Sequence, residues 1–175
     1  LMSIHKKYTL SCTDIIITLG SLEVMAYFYY GIRTLIMAGI CMAVSFVCDW
    51  LSLWFMKKKY TSDDLISLAD GLAISLMMPA SVDFRIPAVA CDFAVLVGKN
   101  LFGGSKNIIF SPCAVGYLFA LTSWGNEILM YPSPEKKLDI TAENAVLAHS
   151  LSYDFNNAGN INISDFDLLI GNFRG

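Results

Sequence analysis

The sequence predicts an all-α integral membrane protein, and three observations carry that expectation. Hydrophobic residues make up 55% of the 175-residue chain and charged residues only 15%, whereas a typical soluble domain carries about 25% charged residues. Mean hydropathy is positive. The apolar residues gather into about five runs, several of them approaching the roughly 20 residues that a helix needs to cross a hydrocarbon core of about 30 Å.

The first run extends from Asp14 to Tyr30 and ends in Tyr27-Phe28-Tyr29-Tyr30, aromatic rings suited to a membrane interface. His5, Lys6 and Lys7 precede it as in a signal peptide, but it contains Glu23 and no small-residue cleavage site follows, so it reads as a retained span. The second run, Thr34 to Met56, is the cleanest, closed by Trp50, Trp54 and then Lys57-Lys58-Lys59. The third, Leu65 to Met78, is short, contains Asp70-Gly71 and stops at Pro79, which predicts a broken or re-entrant helix buried in protein. The fourth, Ile86 to Phe102, holds Asp92 and Lys99 and leads into Gly103-Gly104; the fifth, Ile108 to Met130, is interrupted late by Gly125-Asn126-Glu127.

Residues 1–130 therefore read as a transmembrane helical region and 131–175 as an extracytoplasmic polar loop leading to a further helix. The apolar stretch from Phe166 to Ile170 is too short to span. Orientation follows from basic residues, which favour the cytoplasmic side. With the N-terminus inside, Lys6, Lys7, Lys57, Lys58, Lys59, Lys99 and Lys106 fall on or near that side and Arg33 and Arg85 on the other. Five crossings then place the segment after Met130 outside, whereas a third run that does not cross would place it inside. Leu1 at the start and Phe173-Arg174-Gly175 at the end give the expectation of a fragment.

Several function classes are excluded. The net charge of -3 and the lack of a basic stripe remove nucleic acid as a partner. His5 and His149 are the only histidines, and neither a GxSxG nor a GxxxxGK[ST] motif occurs, so hydrolase and kinase chemistry has no residues to stand on. The five cysteines, Cys12, Cys41, Cys48, Cys91 and Cys113, include no CxxC pair, which argues against a disulfide framework or a zinc site. Cys41 and Cys48 share a helix face, open to a redox or metal pairing but read as small apolar packing. Asn156 to Asp167 is rich in oxygen ligands, yet the glycine and bidentate glutamate of a calcium loop are out of register, so it reads as a solvated loop.

Ionisable residues inside apolar runs are functional candidates by default. Asp49 and Lys99 stand near run ends, where long or charged side chains reach headgroups. Glu23, Asp70 and Asp92 lie deeper, and each is open to an ion-pathway or subunit-contact role and to a satisfied structural pair.

One stretch is more particular. Gly98-Lys99-Asn100-Leu101-Phe102-Gly103-Gly104, then Asn107 and Phe110-Ser111-Pro112-Cys113-Ala114-Val115-Gly116-Tyr117, closely resembles the GKxLFGG...N.FNPAxVGY signature of the RnfD/NqrB family, membrane subunits of ion-pumping, flavin-containing electron-transport complexes. The stretch from Asp64 through Asp70-Gly71-Leu72 to Pro79 and the stretch from Asp167 to Asn172 are similar to other family segments, in the same order and with similar spacing. Within the signature, Gly98, Gly103 and Gly104 serve either a close approach to a cofactor or tight helix packing, and packing is the favoured reading.

The resemblance implies a fold like one half of the inverted-repeat helical fold of urea channels, in the bacterial cytoplasmic membrane. It implies other membrane subunits of an Rnf-like complex as partners and electron transfer coupled to Na+ or H+ movement. It also implies covalent flavin mononucleotide (FMN), esterified to a threonine in the extracytoplasmic loop. Here that threonine's position falls on Ser150, within Ala148-His149-Ser150-Leu151; His149 and Leu151 replace the family's Ala and Pro around the acceptor. Asp70 likewise stands where the family has a threonine before glycine. Two alternatives remain open: a relative without flavin that anchors an extracytoplasmic electron-transfer protein, and a small-solute channel.

Overall fold

The computed structural model describes residues 12–57, 66–101, 110–132, 138–145 and 147–149. Helix α1 (Cys12–Tyr30) and helix α2 (Ile32–Phe55) are joined by Gly31 alone. Its φ of 88° is left-handed, a conformation that costs glycine little and other residues more. Its N–H donates to the Tyr27 carbonyl at 2.9 Å and closes α1. At 24 residues and 1.5 Å per residue, α2 is about 36 Å long. Among the described residues it is the helix that combines spanning length with spanning hydropathy.

Helix α3 (Ile66–Met77) has only 12 residues. It is continuous across Asp70-Gly71 and ends, as the sequence suggests, just before Pro79. Helix α4 (Arg85–Phe93) passes without a break into a π-helical segment (Ala94–Asn100), closed by the Leu101 N–H donating to the Leu96 carbonyl at 3.1 Å. Helix α5 (Pro112–Ile128) starts with proline in its first turn, where no backbone donor is lost. It kinks at Trp124, whose φ of -130° and ψ of 40° leave the helical region, one residue ahead of the interruption marked by Gly125.

The helices alternate in direction. One end of the bundle gathers hydrogen bonds across the turns: Arg33 to the Ala80, Val82 and Ile140 carbonyls, Leu138 N–H to the Tyr30 carbonyl and Ser81 Oγ to the Met130 carbonyl. The opposite end carries Lys57 and the starts of α1, α3 and α5. The third apolar run therefore traverses the bundle, and the chain after Met130 emerges at the Arg33 end. There a two-stranded antiparallel ladder, not expected from the sequence, pairs β1 (Met130–Pro132) with β2 (Leu147–His149), with Tyr131 opposite Ala148. The all-α class holds for the bundle itself, which this ladder only caps.

Close helix crossings are made at residues of the recognised signature. A Cβ on Gly116 would collide with the Ala90 carbonyl of α4, and one on Gly98 would lie 2.8 Å from the Pro112 Cα. Gly98 is thus a packing glycine; Gly103 and Gly104 lie outside the described residues. Between the helices Met37, Cys41, Ile74, Ile86, Ala90, Cys91 and Ala120 form the apolar core.

The polarity of α2 runs against that of a soluble helix. It buries Arg33, Thr34, Ser45 and Asp49 and exposes Phe46, Val47, Trp50, Trp54 and Phe55.

Candidate functional site

Three polar clusters occupy the interior of this apolar bundle. The most charged lies toward the Lys57 end. Asp49 is one and three-quarter turns before the end of α2, Ser67 is in the first turn of α3, and Lys99 is in the last turn of the π segment. The Lys99 ammonium donates to Asp49 Oδ2 at 2.9 Å and to Ser67 Oγ at 2.7 Å. Lys99 and Asp49 are each only 1% exposed.

Such a pair adds little net stability, because desolvation offsets attraction, but breaking it leaves a buried unpaired charge at a cost of about 3–5 kcal/mol. Asp70, one turn along α3 from Ser67, is buried beside it and feels the charges of both Lys99 and Asp49. The π segment has a structural part in this. Its wider turn departs from α-helical spacing, and Val95, Gly98, Lys99 and Asn100 all end up buried.

Hydrogen bonding in this cluster is incomplete. Asp49 Oδ1, Asp70 Oδ2, Ser45 Oγ and Asn100 Nδ2 are buried without a partner. Ser45 stands one turn before Asp49, and α2 and α3 touch there: a Cβ on Gly71 would lie 2.8 Å from Ser45 Oγ. Gly71 thus permits the approach that brings the polar faces of the two helices together.

Toward the Arg33 end, Ser75 of α3 donates a short hydrogen bond to the Glu23 carboxylate of α1. Both line a cavity of about 190 Å³, together with Tyr30, Thr34, Met37 and Tyr131. The third cluster is Arg33 itself. Its Nε donates to the Ala80 carbonyl at 2.6 Å, Nη2 to the Val82 carbonyl at 2.8 Å and Nη1 to the Ile140 carbonyl, while its guanidinium lies 4.3 Å from the Phe84 ring centroid.

The described cysteines are free. Cys41 of α2 and Cys91 of α4 are both buried in the apolar core, and the Cys48 thiol donates to Asp92 Oδ1 at 2.9 Å. Cys41 and Cys48 therefore serve different neighbours and do not pair. Among the described residues no group of three or more His, Cys, Asp or Glu is placed to hold a metal ion.

These placements revise the expectations in two ways. Asp49 and Lys99 do not reach outward to headgroups but bond each other in the interior, so Lys99 does not act as a loop charge in setting orientation. Glu23 and Asp92 each have a hydrogen-bond partner, Ser75 and Cys48, whereas Asp70 keeps an open oxygen. Ser150 lies outside the described residues, as does the loop from Asn156 to Asp167; the described chain reaches His149, which β1 holds opposite Met130. Ser45, Ser67 and Asn100 were not anticipated. Their signal was available in the recurrence of Cys41, Ser45 and Asp49 at one-turn spacing, matched by Ser67, Asp70 and Gly71 on α3.

The chain is similar to known proteins. Residues 4–175 match the model of the NQR2, RnfD, RnfE family. The D component of an ion-translocating oxidoreductase complex from Colwellia psychrerythraea is 26% identical over 110 residues, covering 62% of this chain and 31% of the relative. The component of the same name from Shewanella sediminis is 25% identical over 143 residues, covering 81% and 40%. The D component of a Na(+)-translocating ferredoxin:NAD(+) oxidoreductase complex from Acetobacterium woodii is 26% identical over 120 residues, covering 69% and 37%. The matched region is thus about a third to two fifths of the length of these curated relatives.

Proposed function

Because the chain belongs to the NQR2, RnfD, RnfE family, we propose that it is a multi-pass subunit of a bacterial ion-translocating electron-transfer complex, lending that complex part of its charged interior. The observation that carries this reading is the Lys99–Asp49 pair, 1% exposed, inside a bundle whose outer faces present Phe28, Trp50, Trp54 and Phe55. In water such an exposed apolar surface is a liability. In a bilayer it is the lipid-facing or subunit-facing side, and ionisable groups belong inside.

In this reading the helices cross the membrane with the N-terminus inside, so that Lys57 faces the cytoplasm and Arg33, the ladder and residues 131–175 face outward. Partner subunits and lipid cover the exposed faces of α1 and α2. The described helices form part of one repeat of the larger inverted-repeat fold. Coupling of electron transfer to Na+ or H+ movement is a property of the assembled complex.

FMN is the cofactor of this proposal, with Ser150 as its attachment point through a phosphoester. When bound, a flavin passes electrons one or two at a time. This chain's own contribution is positional: the β1–β2 ladder pairs Leu147–His149, directly before Ser150, with Met130–Pro132 at the Arg33 end of the bundle. The second reading, an anchor without flavin, is favoured by His149 and Leu151, which differ from the family's residues at the same places.

Purification of the full-length protein from native membranes in mild detergent tests both. The expected result is copurification with iron–sulfur and flavoprotein subunits, together with a mass increase of one FMN that maps to Ser150. Subunits without the adduct establish the anchor; neither subunits nor adduct overturns the reading.

A further inference from the structure

The interior cluster at the Lys57 end contains two carboxylates, Asp49 and Asp70, and one ammonium, Lys99, all buried. Lys99 is committed to Asp49 Oδ2 and Ser67 Oγ. Counted at full ionisation, the cluster is left with one surplus negative charge. Two carboxylate acceptors, Asp49 Oδ1 and Asp70 Oδ2, are without partners, as is the hydroxyl of Ser45. A surplus charge removed from water, with open acceptors around it, is unfavourable unless one more positive charge joins it.

Among the described residues no other basic side chain supplies that charge. The acids and thiols on the surrounding elements are Glu23 of α1, bonded to Ser75; Cys41 and Cys48 of α2, Cys48 bonded to Asp92 of α4; Cys91 of α4; and Cys113 and Glu127 of α5. The basic groups on the helices are Arg33 of α2 and Arg85 of α4, both at the opposite end of the bundle, and Lys99 of the π segment. Asn100, on the same turn as Lys99, brings an open amide donor but no charge.

From this we infer that the buried polar group of Asp70, Asp49 and Ser45 binds one exchangeable monovalent positive charge, a proton or Na+, with Asp70 as the binding carboxylate. Lys99 is a fixed counter-charge that keeps the count at one. A divalent ion would leave the cluster positive, and the described residues offer no set of three His, Cys, Asp or Glu ligands for one. The proton form needs only the Asp70 carboxylate. The Na+ form uses the same oxygens as ligands, hard donors suited to a hard cation. The physiological use of the site, loading a carried ion, rests on the proposed function above, but its chemistry belongs to this chain alone.

The test is made on purified full-length protein by infrared difference spectroscopy of carboxyl groups and by equilibrium binding of radioactive sodium, with K+ as control. A protonated-carboxyl band present at neutral pH, lost in Asp70→Asn and indifferent to Na+, identifies the charge as a proton. A band that disappears on addition of Na+ but not K+, or one bound Na+ per chain whose affinity falls about tenfold or more in Asp70→Asn, identifies it as Na+. Asp70→Thr, a second small polar replacement, provides the same comparison if the asparagine variant does not fold. Wild-type protein showing neither a protonated carboxyl nor saturable Na+ binding overturns the proposal, whichever variants fold. Copurification of redox subunits is scored separately, so failure of the site and failure of the complex assignment are distinguishable.

Discussion

Two buried cations stand near opposite ends of the bundle. The Arg33 guanidinium gives its Nε, Nη1 and Nη2 to three carbonyls and its face to Phe84. The Lys99 ammonium meets Asp49 and Ser67, while Asp49 Oδ1, Asp70 Oδ2 and Ser45 Oγ nearby have no partner. The difference lies in who supplies the acceptors. Backbone carbonyls from the α3–α4 turn and from Ile140 tie Arg33 into the chain path, so its site joins segments. Side chains from α2 and α3 surround Lys99, and their two carboxylates exceed its single charge. The donors of Arg33 are met by carbonyls, whereas the Lys99 site keeps acceptors open, and the proposed exchangeable charge rests on that shortfall.

Lys99→Met tests this contrast hardest. It leaves Asp49 and Asp70 buried without a counter-charge, and destabilisation of about 3–5 kcal/mol is expected in detergent unfolding. The double variant Lys99→Met with Asp49→Leu should recover most of that loss, because the charge that Lys99 balanced is then gone. A double variant no more stable than the single one would show that Lys99 acts otherwise than through Asp49. Arg33→Lys comes next. The charge stays, but a point ammonium cannot reproduce the fork to Ala80, Val82 and Ile140, and about 1–3 kcal/mol is expected for the buried carbonyl left without a donor. Hydrogen exchange should quicken at the Arg33 end, at Val82 and Leu138, and remain slow near Ser45; uniform quickening would deny that this end is a local fastener.

Gly31→Ala has the smallest effect on the charged interior. A side chain at φ 88° and ψ -165° stands in a region that essentially only glycine occupies and carries a strain of about 1–3 kcal/mol, read as a lower melting temperature with unchanged Na+ or proton uptake at Asp70. If uptake changes as well, the two ends of the bundle are not independent.

Much of the fold was legible. Apolar runs bounded by Tyr30, Lys57, Pro79 and Met130 gave the helices within a few residues, because hydrophobic length and breakers are local properties of sequence. The late interruption of α5 was visible in Gly125-Asn126-Glu127. What was not legible depended on tertiary contact. Lys99 reads as an end-of-span lysine until the π segment, which no local propensity announces, takes it into the interior. The β1–β2 ladder joins Met130 to His149 across residues whose composition reads as loop. Ser45 looks like any small polar residue in an apolar run until Gly71 lets α3 approach it.

The signature residues Gly98 and Lys99 are neighbours in one π turn. Gly98 rides on the first proline of α5, and the next residue carries the cluster's lysine. The start of α5 and the charged interior are therefore one residue apart: a side chain in place of Gly98 would press on Pro112 next to the lysine that neutralises Asp49.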